Sequence, residues 1–297
     1  MKKLFLMALA VCLVTACEKP IVGDIEDDYF DDEEIVNPDA EPTKKFTFTV
    51  KGDFASPTMR GYLQADGKDM TDLWVFDFMD GECVQSLHQT NTDDGFGVPV
   101  MQLAYGAHHV YFVASRGVSP SVDETANTIT WTNVRDTFWK DYEVDVVSTS
   151  NGNRAVTLDR VVTKLRVTID DEVPDNCSTL TLTPATWYNG LNYTTGSVLA
   201  MQSGTTAHTV DVPASYIGTS GQLMMSIFGF SSATEWTTDV IVTAKDASSN
   251  VLGSATIEDA PFKRNRVTEY HGNLFAVAST MGLTLNDTWD DSETGSW

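Results

Sequence analysis

Alternation of apolar and polar residues, the pattern of a half-buried β-strand, runs through this chain from Lys45 almost to its end. Residues 46–50 read Phe-Thr-Phe-Thr-Val, which places Phe46, Phe48 and Val50 on one face of a strand and the threonines on the other. Few windows carry apolar residues at the spacing of three and four that an amphipathic helix requires. The pattern therefore predicts an all-β protein.

Turn residues divide the first part of the chain into pairs of strands. Residues 73–78 form a dense apolar run, and Asp80-Gly81 then supplies the turn of a hairpin whose second strand covers residues 83–87. This sequence predicts one local antiparallel pair.

A second pair is predicted around a turn at residues 105–107. Residues 98–103 form the strand before this turn and residues 110–114 the strand after it. Residues 135–142 separate two later apolar runs, and we expect them to form a short helix.

A second cycle of alternation begins at residue 160, after turn residues 151–153. Further apolar runs separated by turn residues follow at residues 160–169, 180–182, 198–199, 208–212, 223–230, 239–244, 254–257, 266–274 and 283–285. Many short strands at this spacing are typical of β-sandwiches, and no repeat of fixed period is visible. We therefore expect two tandem β-sandwiches, over residues 45–159 and residues 160–297.

The N-terminus has the parts of a secretory signal. Lys2 and Lys3 give the positive segment, residues 4–14 the apolar run, and small residues lead to Cys17. A run of about a dozen apolar residues is too short to span a bilayer of roughly 30 Å. We therefore expect residues 1–16 to be removed as a signal peptide.

The residues before Cys17 resemble the lipobox of bacterial lipoproteins, with Leu13 and Ala16 upstream of the cysteine. In such proteins the signal is cut before the cysteine, which then carries acyl chains such as palmitate. The resemblance implies that Cys17 is a lipid attachment site and that the mature chain is anchored to the outer membrane. The alternative is an ordinary signal peptide with an incidental cysteine.

The sequence of residues 17–44 predicts an extended acidic tether. Residues 26–34 hold seven acids in nine positions, and Pro38 and Pro42 follow, so the segment cannot bury enough apolar surface to fold. A calcium site is the alternative for these carboxylates, but the spacing of a Gly-centred calcium loop is missing.

The formal net charge of the chain, −23, repels nucleic-acid phosphates and anionic lipid surfaces, which argues against nucleic acid as a partner.

The sequence contains none of the motifs that would indicate catalysis. A Gly-x-Ser-x-Gly elbow, a His-Glu-x-x-His pair, a phosphate-binding glycine loop and a Cys-x-x-Cys site are all missing. His108 and His109 are adjacent in a predicted strand, so their side chains point to opposite faces and cannot share one ion. We expect both at the surface beside a turn, and we expect no enzyme activity, no cofactor and no metal.

Other potential ligands have simpler interpretations. Carboxylates that could hold calcium occur in the loop at residues 91–95 and at Asp287, Asp290 and Asp291. Solvated turns, in which Asp and Asn bond their own backbone, are the favoured interpretation. Cys83 and Cys177 remain after Cys12 and Cys17 are assigned to the signal and the lipid, and we expect them in different domains as free thiols of the β-core.

Segments in both halves of the chain share their pattern with a known family. The segments are residues 71–77, 80–82, 105–106 and 110–114 in the first half and residues 160–167, 262–267 and 284–289 in the second. Together they resemble the two domains of the fimbrillin-associated anchor family of Bacteroidales type V pili. The acidic run behind Cys17 also resembles the signal that sends Bacteroidales lipoproteins to the cell surface.

The resemblance implies two transthyretin-like sandwiches in a surface lipoprotein that joins a fimbria by β-strand exchange and serves adhesion. The implied partners are other fimbrial subunits and a ligand on a host or bacterial surface. The candidate residues for strand exchange are Phe46, Phe48 and Val50 near the start and Leu283, Leu285 and Trp289 near the end. Shaft subunits of such pili are cut after an arginine, which makes Arg60 a candidate protease site. An anchor keeps its lipid only if it is not cut there, so we expect residues 46–54 to stay in their own sandwich.

The sequence is also compatible with two other functions. A surface glycan-binding lipoprotein of a polysaccharide uptake system would need coplanar exposed aromatic side chains, for which Trp187, Tyr188 and Trp236 are the best candidates, although a sandwich core also needs most tryptophans. A secreted hydrolase would need a cleft with convergent carboxylates of perturbed pKa, and is disfavoured by the missing motifs.

Overall fold

The structure, a computed structural model, describes residues 42–51, 70–201, 204–276 and 280–286, the last segment by its backbone only. Its strands in chain order are β1 (Thr43–Lys51), β2 (Asp72–Met79), β3 (Glu82–Thr90), β4 (Val100–Ala104), β5 (Gly106–Ser115), β6 (Val118–Asp123), β7 (Thr128–Asn133), β8 (Thr137–Val146), β9 (Asn153–Thr157), β10 (Asp159–Arg160), β11 (Val162–Ile169), β12 (Cys177–Pro184), β13 (Tyr188–Asn192), β14 (Ser197–Ala200), β15 (His208–Asp211), β16 (Met224–Phe230), β17 (Trp236–Asp246), β18 (Val251–Phe262), β19 (Val267–Asn273) and β20 (Thr280–Asn286). Apart from one 3-10 turn at Ala214–Tyr216, the described part of the chain has no helix, which confirms the all-β prediction.

These strands form five sheets. The first half contributes a three-stranded sheet, β4-β1-β9, and a five-stranded sheet, β10-β8-β5-β2-β3. The second half contributes two four-stranded sheets, β16-β11-β19-β20 and β15-β12-β17-β18. The fifth sheet, β14-β13-β7-β6, takes strands from both halves.

The first sandwich encloses a core between the three-stranded and the five-stranded sheet. Phe46 and Phe48 of β1 meet Leu73 and Val75 of β2 and Phe112 of β5, all fully or almost fully buried. The apolar residues of the alternation that predicted β1 therefore do face the core. Burying a large apolar side chain of this kind contributes roughly 1.5–3 kcal/mol.

The second sandwich has its own core between its two sheets. Leu165 and Val167 of β11 and Ile227 of β16 pack against Leu182 of β12 and Val242 of β17. β11 lies between β16, which is antiparallel to it, and β19, which is parallel. The predicted β-sandwich architecture is thus present in both halves of the chain.

The fifth sheet joins the two halves. Ile129 of β7 is paired with Leu191 of β13, although one precedes and the other follows residue 159. Trp131 of this sheet packs with Phe76 of the first half and Phe230 of the second in a third core. The division into residues 45–159 and 160–297 stays a prediction, and the sequence pattern did not predict this shared sheet and core.

The first predicted hairpin is confirmed. β2 and β3 pair in antiparallel register, and the turn between them consists of Asp80 (φ 53°) and Gly81 (φ 84°). Two consecutive residues with positive φ match the right-handed twist of the flanking strands, which is why Asp-Gly is favoured in such turns.

The second predicted pair is wrong. β4 pairs with β1, whereas β5 pairs with β2 and β8 in the opposite sheet. The chain crosses between the sheets at Gly106 (φ 139°), where a Cβ atom would lie 2.6 Å from Cε of Met79. The positive φ favours glycine at this crossing, and the turn signal here marks a change of sheet and not a hairpin.

The predicted helix at residues 135–142 is also wrong, because most of this segment belongs to β8. All ten residues of β8 pair with β5 near the middle of the five-stranded sheet. Backbone pairing with a strand more than twenty residues away overrides the local pattern, which carries no information about such partners.

Candidate functional site

Several of the residues singled out from the sequence lie outside the described residues. They are Cys17, the expected lipid attachment site, Arg60, the candidate protease site, and Trp289, a candidate for strand exchange. The acids Asp287, Asp290 and Asp291 lie outside as well.

The first group of strand-exchange candidates lies in β1, in the middle of its sheet. β1 is antiparallel to β4 and parallel to β9, and Phe46 and Phe48 are completely buried while Val50 is half-buried. The ring of Phe48 lies edge-on to Phe112, with 5.2 Å between the ring centroids, and Tyr142 lies 6.0 Å away. In this structure β1 fills its own sandwich, and its removal would open a groove lined by aromatic pockets.

The second group lies in β20, at the edge of its sheet. Leu283 is in register with Tyr270 and Leu285 with Thr268, so β20 is the antiparallel neighbour of β19. Among the described residues, β20 has no second neighbour in the order β16-β11-β19-β20, so one row of its backbone groups lies at the edge of this sheet. An unpaired row of this kind can add a strand from another chain.

Another long sheet edge is formed by β3. In the part of the chain that the structure describes, β3 pairs only with β2, and it carries exposed or half-buried side chains along its length, with Val84 55% exposed. By contrast, the edge strand β6 contains Pro120, which cannot donate a backbone hydrogen bond, and a left-handed residue, Ser119 (φ 53°). Within the described chain, β3 is therefore better suited than β6 to pairing with another strand.

The two adjacent histidines point to opposite faces of β5, as their positions in a strand require. His108 is buried, and its Nδ1 lies 2.7 Å from Oδ1 of Asp77 while its Nε2 lies 3.0 Å from the carbonyl oxygen of Ala104. Burial raises the pKa of Asp77 more than the contact with His108 lowers it. The expectation that both histidines lie at the surface is wrong for His108, because β5 sends alternate residues into the first core.

His109 points away from the first core, is itself exposed, and lies close to two carboxylates of β8. Its Nδ1 is 3.0 Å from Oδ1 and 3.3 Å from Oδ2 of Asp141. One potential ligand atom each from His109, Asp141 and Glu143 lies within 4.8 Å of the others. Burial raises the pKa of the neighbouring Tyr111, and the charges of Asp141 and Glu143 raise it further. We call these three ligand residues, His109, Asp141 and Glu143, the β5–β8 triad.

The aromatic residues considered for sugar binding do not form a flat exposed surface. Trp187 is 1% exposed, and its Nε1 donates to the carbonyl oxygen of Phe228 at 3.1 Å. The half-buried rings of Tyr188 and Trp236 meet edge to face at an interplanar angle of 87°. Trp187 therefore belongs to the core, and the other two are not coplanar.

Both described cysteines are free thiols. Cys177 is buried, as expected, but Cys83 is exposed in β3, so the prediction of a core position is wrong for Cys83. Its place on an edge strand explains this, because β3 covers no core along most of its length.

The acidic loop at residues 91–95 is a solvated turn. The carboxylate of Asp93 accepts a hydrogen bond from the backbone N–H of Thr90 at 2.6 Å.

An open cleft of about 560 Å³ lies at one end of the second sandwich and is lined by Asp175, Asp211, Asp246 and Cys177, among others. Asp246 closes its own turn, accepting hydrogen bonds from Asn250 that hold its pKa below its usual range. Burial raises the pKa of the Cys177 thiol, which keeps it protonated. These groups give the hydrolase alternative no support.

The structure places no long apolar helix in residues 42–51, 70–201, 204–276 or 280–286, so none of these segments could cross a bilayer as a helix.

Comparison with solved structures gives several matches of low sequence identity. A proposed adhesin from Bacteroides ovatus superimposes with a TM-score of 0.50 at 10% identity, over 80% of this chain and 88% of the other. A fimbrial assembly protein from Parabacteroides distasonis gives 0.47 at 12% identity, over 83% and 100% of the two chains. The tip fimbrial protein Mfa3 from Porphyromonas gingivalis, truncated at its C-terminus, gives 0.44 at 13% identity, over 82% and 99%. The first of these matches indicates a shared fold.

Comparison with curated proteins gives no match. A family model matches residues 116–296, which is more than half of the chain and includes the shared sheet and the whole second sandwich. The protein therefore belongs to this family, which is described as a family of unknown function, DUF6562.

Proposed function

We propose that this protein is a structural or anchoring subunit of a fimbria, a surface lipoprotein that serves adhesion and has no enzymatic activity. The observation that carries the proposal is the fold, which the chain shares over 80% of its length with a proposed adhesin. The open sheet edges of β3 and β20 and the lipobox before Cys17 support it. A stack of sandwiches with free edges can act as a building block without catalytic residues.

The proposed anchor is the lipid on Cys17. Acyl chains at about 0.8 kcal/mol per buried methylene hold a protein firmly when more than one is present. The acidic segment at residues 17–44 then acts as a spacer between the outer membrane and the sandwiches. The resemblance to the fimbrillin-associated anchor family and to exported lipoproteins supports this arrangement at the cell surface.

The proposed assembly mechanism is strand exchange with other fimbrial subunits. A strand from a neighbour satisfies unpaired backbone groups at an edge and places alternate side chains in apolar pockets. In our proposal, β1 stays in its own sandwich and the segment from Leu283 to Trp289 pairs with the neighbour, so cleavage after Arg60 is not required. A ligand on a host or bacterial surface, and not nucleic acid, is the proposed target of the assembled fibre.

Removing residues 281–297 tests this mechanism. We expect the amount of truncated chain recovered with sheared filaments to fall by at least about tenfold. This change corresponds to about 1.4 kcal/mol of lost association free energy. The matched control lacks only residues 290–297, keeps all three C-terminal candidates and should sediment with filaments like the full chain.

Competition with a peptide covers the case in which the truncated chain does not fold. A synthetic peptide of residues 281–297 should block incorporation of the intact chain into filaments. Normal co-sedimentation of the truncated chain, or no effect of the peptide at saturating concentration, would contradict C-terminal strand exchange.

A further inference from the structure

We propose that the β5–β8 triad, His109, Asp141 and Glu143, binds a divalent transition-metal ion, with Zn²⁺ as the representative. This inference is independent of the fimbrial function, because it rests only on the arrangement of these three side chains.

The strand register brings the three residues to one place on one face of the sheet. His109 of β5 is directly opposite Glu143 of β8, and Tyr111 is opposite Asp141. Residues directly opposite each other, and residues two apart along a strand, share a face. The triad is therefore held by the β5–β8 ladder inside the five-stranded sheet and not by a loop.

The distances fit a single ion after small side-chain rotations. The donor atoms lie within 4.8 Å of one another, whereas two donors at about 2.0–2.2 Å from one Zn²⁺ lie at most roughly 4 Å apart. The side chain of His109 is 48% exposed and that of Asp141 29% exposed, which leaves room for such rotations. An ion bound here would keep coordination positions open to water or to a group from another molecule.

The charge of the site favours a cation. Among the described residues, no lysine or arginine forms an ion pair with Asp141 or Glu143, and the one ionic contact of Asp141 is with His109. Two carboxylates without a lysine or arginine partner leave negative charge that a divalent ion would neutralise. The donor set of one imidazole nitrogen and two carboxylates suits Zn²⁺ and its neighbours better than Ca²⁺, which prefers six to eight oxygen ligands.

Another exposed His–Asp pair, formed by His271 and Asp170, lacks a third ligand among the described residues and provides a matched control. His271 Nδ1 lies 2.8 Å from Oδ2 of Asp170, and their side chains are 57% and 40% exposed. The nearby Glu269 is paired with Arg166 and is not available to an ion. Within the described part of the chain, the β5–β8 triad is the one group of three such ligands.

Histidine-selective NMR during Zn²⁺ titration tests the proposal on the full chain. The chain has five histidines, so each imidazole signal can be assigned by single substitutions. We expect one equivalent of Zn²⁺ to shift the signals of His109 and to leave those of His271 in place. His109→Ala and Glu143→Gln should each weaken Zn²⁺ binding at this site by at least about tenfold, whereas His271→Ala should not change it.

The buried His108 signal reports whether each variant keeps its fold, and Glu143→Gln keeps the test valid if His109→Ala does not fold. His109 signals that stay unchanged in excess Zn²⁺ would overturn the proposal. Equal affinity of wild type and Glu143→Gln, or equal shifts of His109 and His271 at the same concentration, would also overturn it.

Discussion

Replacing Asp136 by alanine is expected to lower the free energy of unfolding by about 3–5 kcal/mol, because two buried arginines lose their carboxylate partner. Asp136 is 1% exposed and accepts hydrogen bonds from Arg160, at 2.7 Å from Nε and 3.1 Å from Nη2. Nη2 of Arg116 lies 3.9 Å from the same carboxylate. Arg160 also donates to Asn265 at 3.0 Å, so the cluster connects the β18–β19 turn of the second half with the first.

The matched control for Asp136 is Asp159, which pairs with Lys140 at 2.9 Å on the surface. Exposed pairs of this type contribute about 0–1 kcal/mol, so Asp159→Ala should have a small effect. Urea unfolding followed by tryptophan fluorescence measures both changes. Similar losses for Asp136→Ala and Asp159→Ala would contradict the role given to the buried cluster.

Replacing Trp131 by alanine is expected to cost about 3–5 kcal/mol of stability, the range for truncating a buried tryptophan. Trp131 is 1% exposed, stacks on Phe230 with 5.0 Å between ring centroids, and meets Trp74 edge-on at 6.1 Å. Its side chain thus fills the third core, between strands that belong to the two halves of the sequence.

Trp131→Phe is the control for this prediction. The indole Nε1 of Trp131 is buried and has no hydrogen-bond partner among the described residues, so phenylalanine removes no hydrogen bond. Phenylalanine keeps one of the two fused rings' worth of volume and leaves a smaller cavity, so Trp131→Phe should cost clearly less than Trp131→Ala. In calorimetry, the wild-type chain should unfold in a single transition, and Trp131→Ala should lower the Tm of that whole transition. Two separate transitions, of which only one moves, would contradict coupling of the halves through the shared sheet.

Local signals in the sequence predicted the elements that local chemistry decides. The alternation of Phe46 and Phe48 gave the inward face of β1, and Asp80-Gly81 gave the first hairpin turn through its two positive φ angles. These features depend only on residues that are neighbours in the sequence, so a local pattern is enough to predict them.

Long-range pairing was beyond the sequence pattern. β8 was expected to include a helix, and β4 was expected to pair with β5, because nothing in these segments identifies β5 or β1 as the partner. No strand was predicted at β6, which contains Pro120, and an edge position tolerates this proline. The sheet shared by β7 and β13 likewise depends on residues 60 positions apart, such as Thr130 and Gly190.

The candidate site shows the same limit. The sequence correctly separated His108 from His109, since adjacent strand residues face opposite ways. It could not associate His109 with Asp141 and Glu143, which follow more than 30 residues later and come close only through the β5–β8 register. The expectation of no metal was therefore based on neighbouring residues alone.

The position of the chain on intact cells tests the central claim most directly. Immunogold labelling of unpermeabilised producing cells should place the wild-type chain on the outer surface or along filaments. A Cys17→Ser chain should be lost from the cell-bound fraction, and its buried core should still give a normal unfolding transition. Wild-type protein found only inside the cell envelope, or surface labelling unchanged by Cys17→Ser, would contradict a lipid-anchored surface subunit.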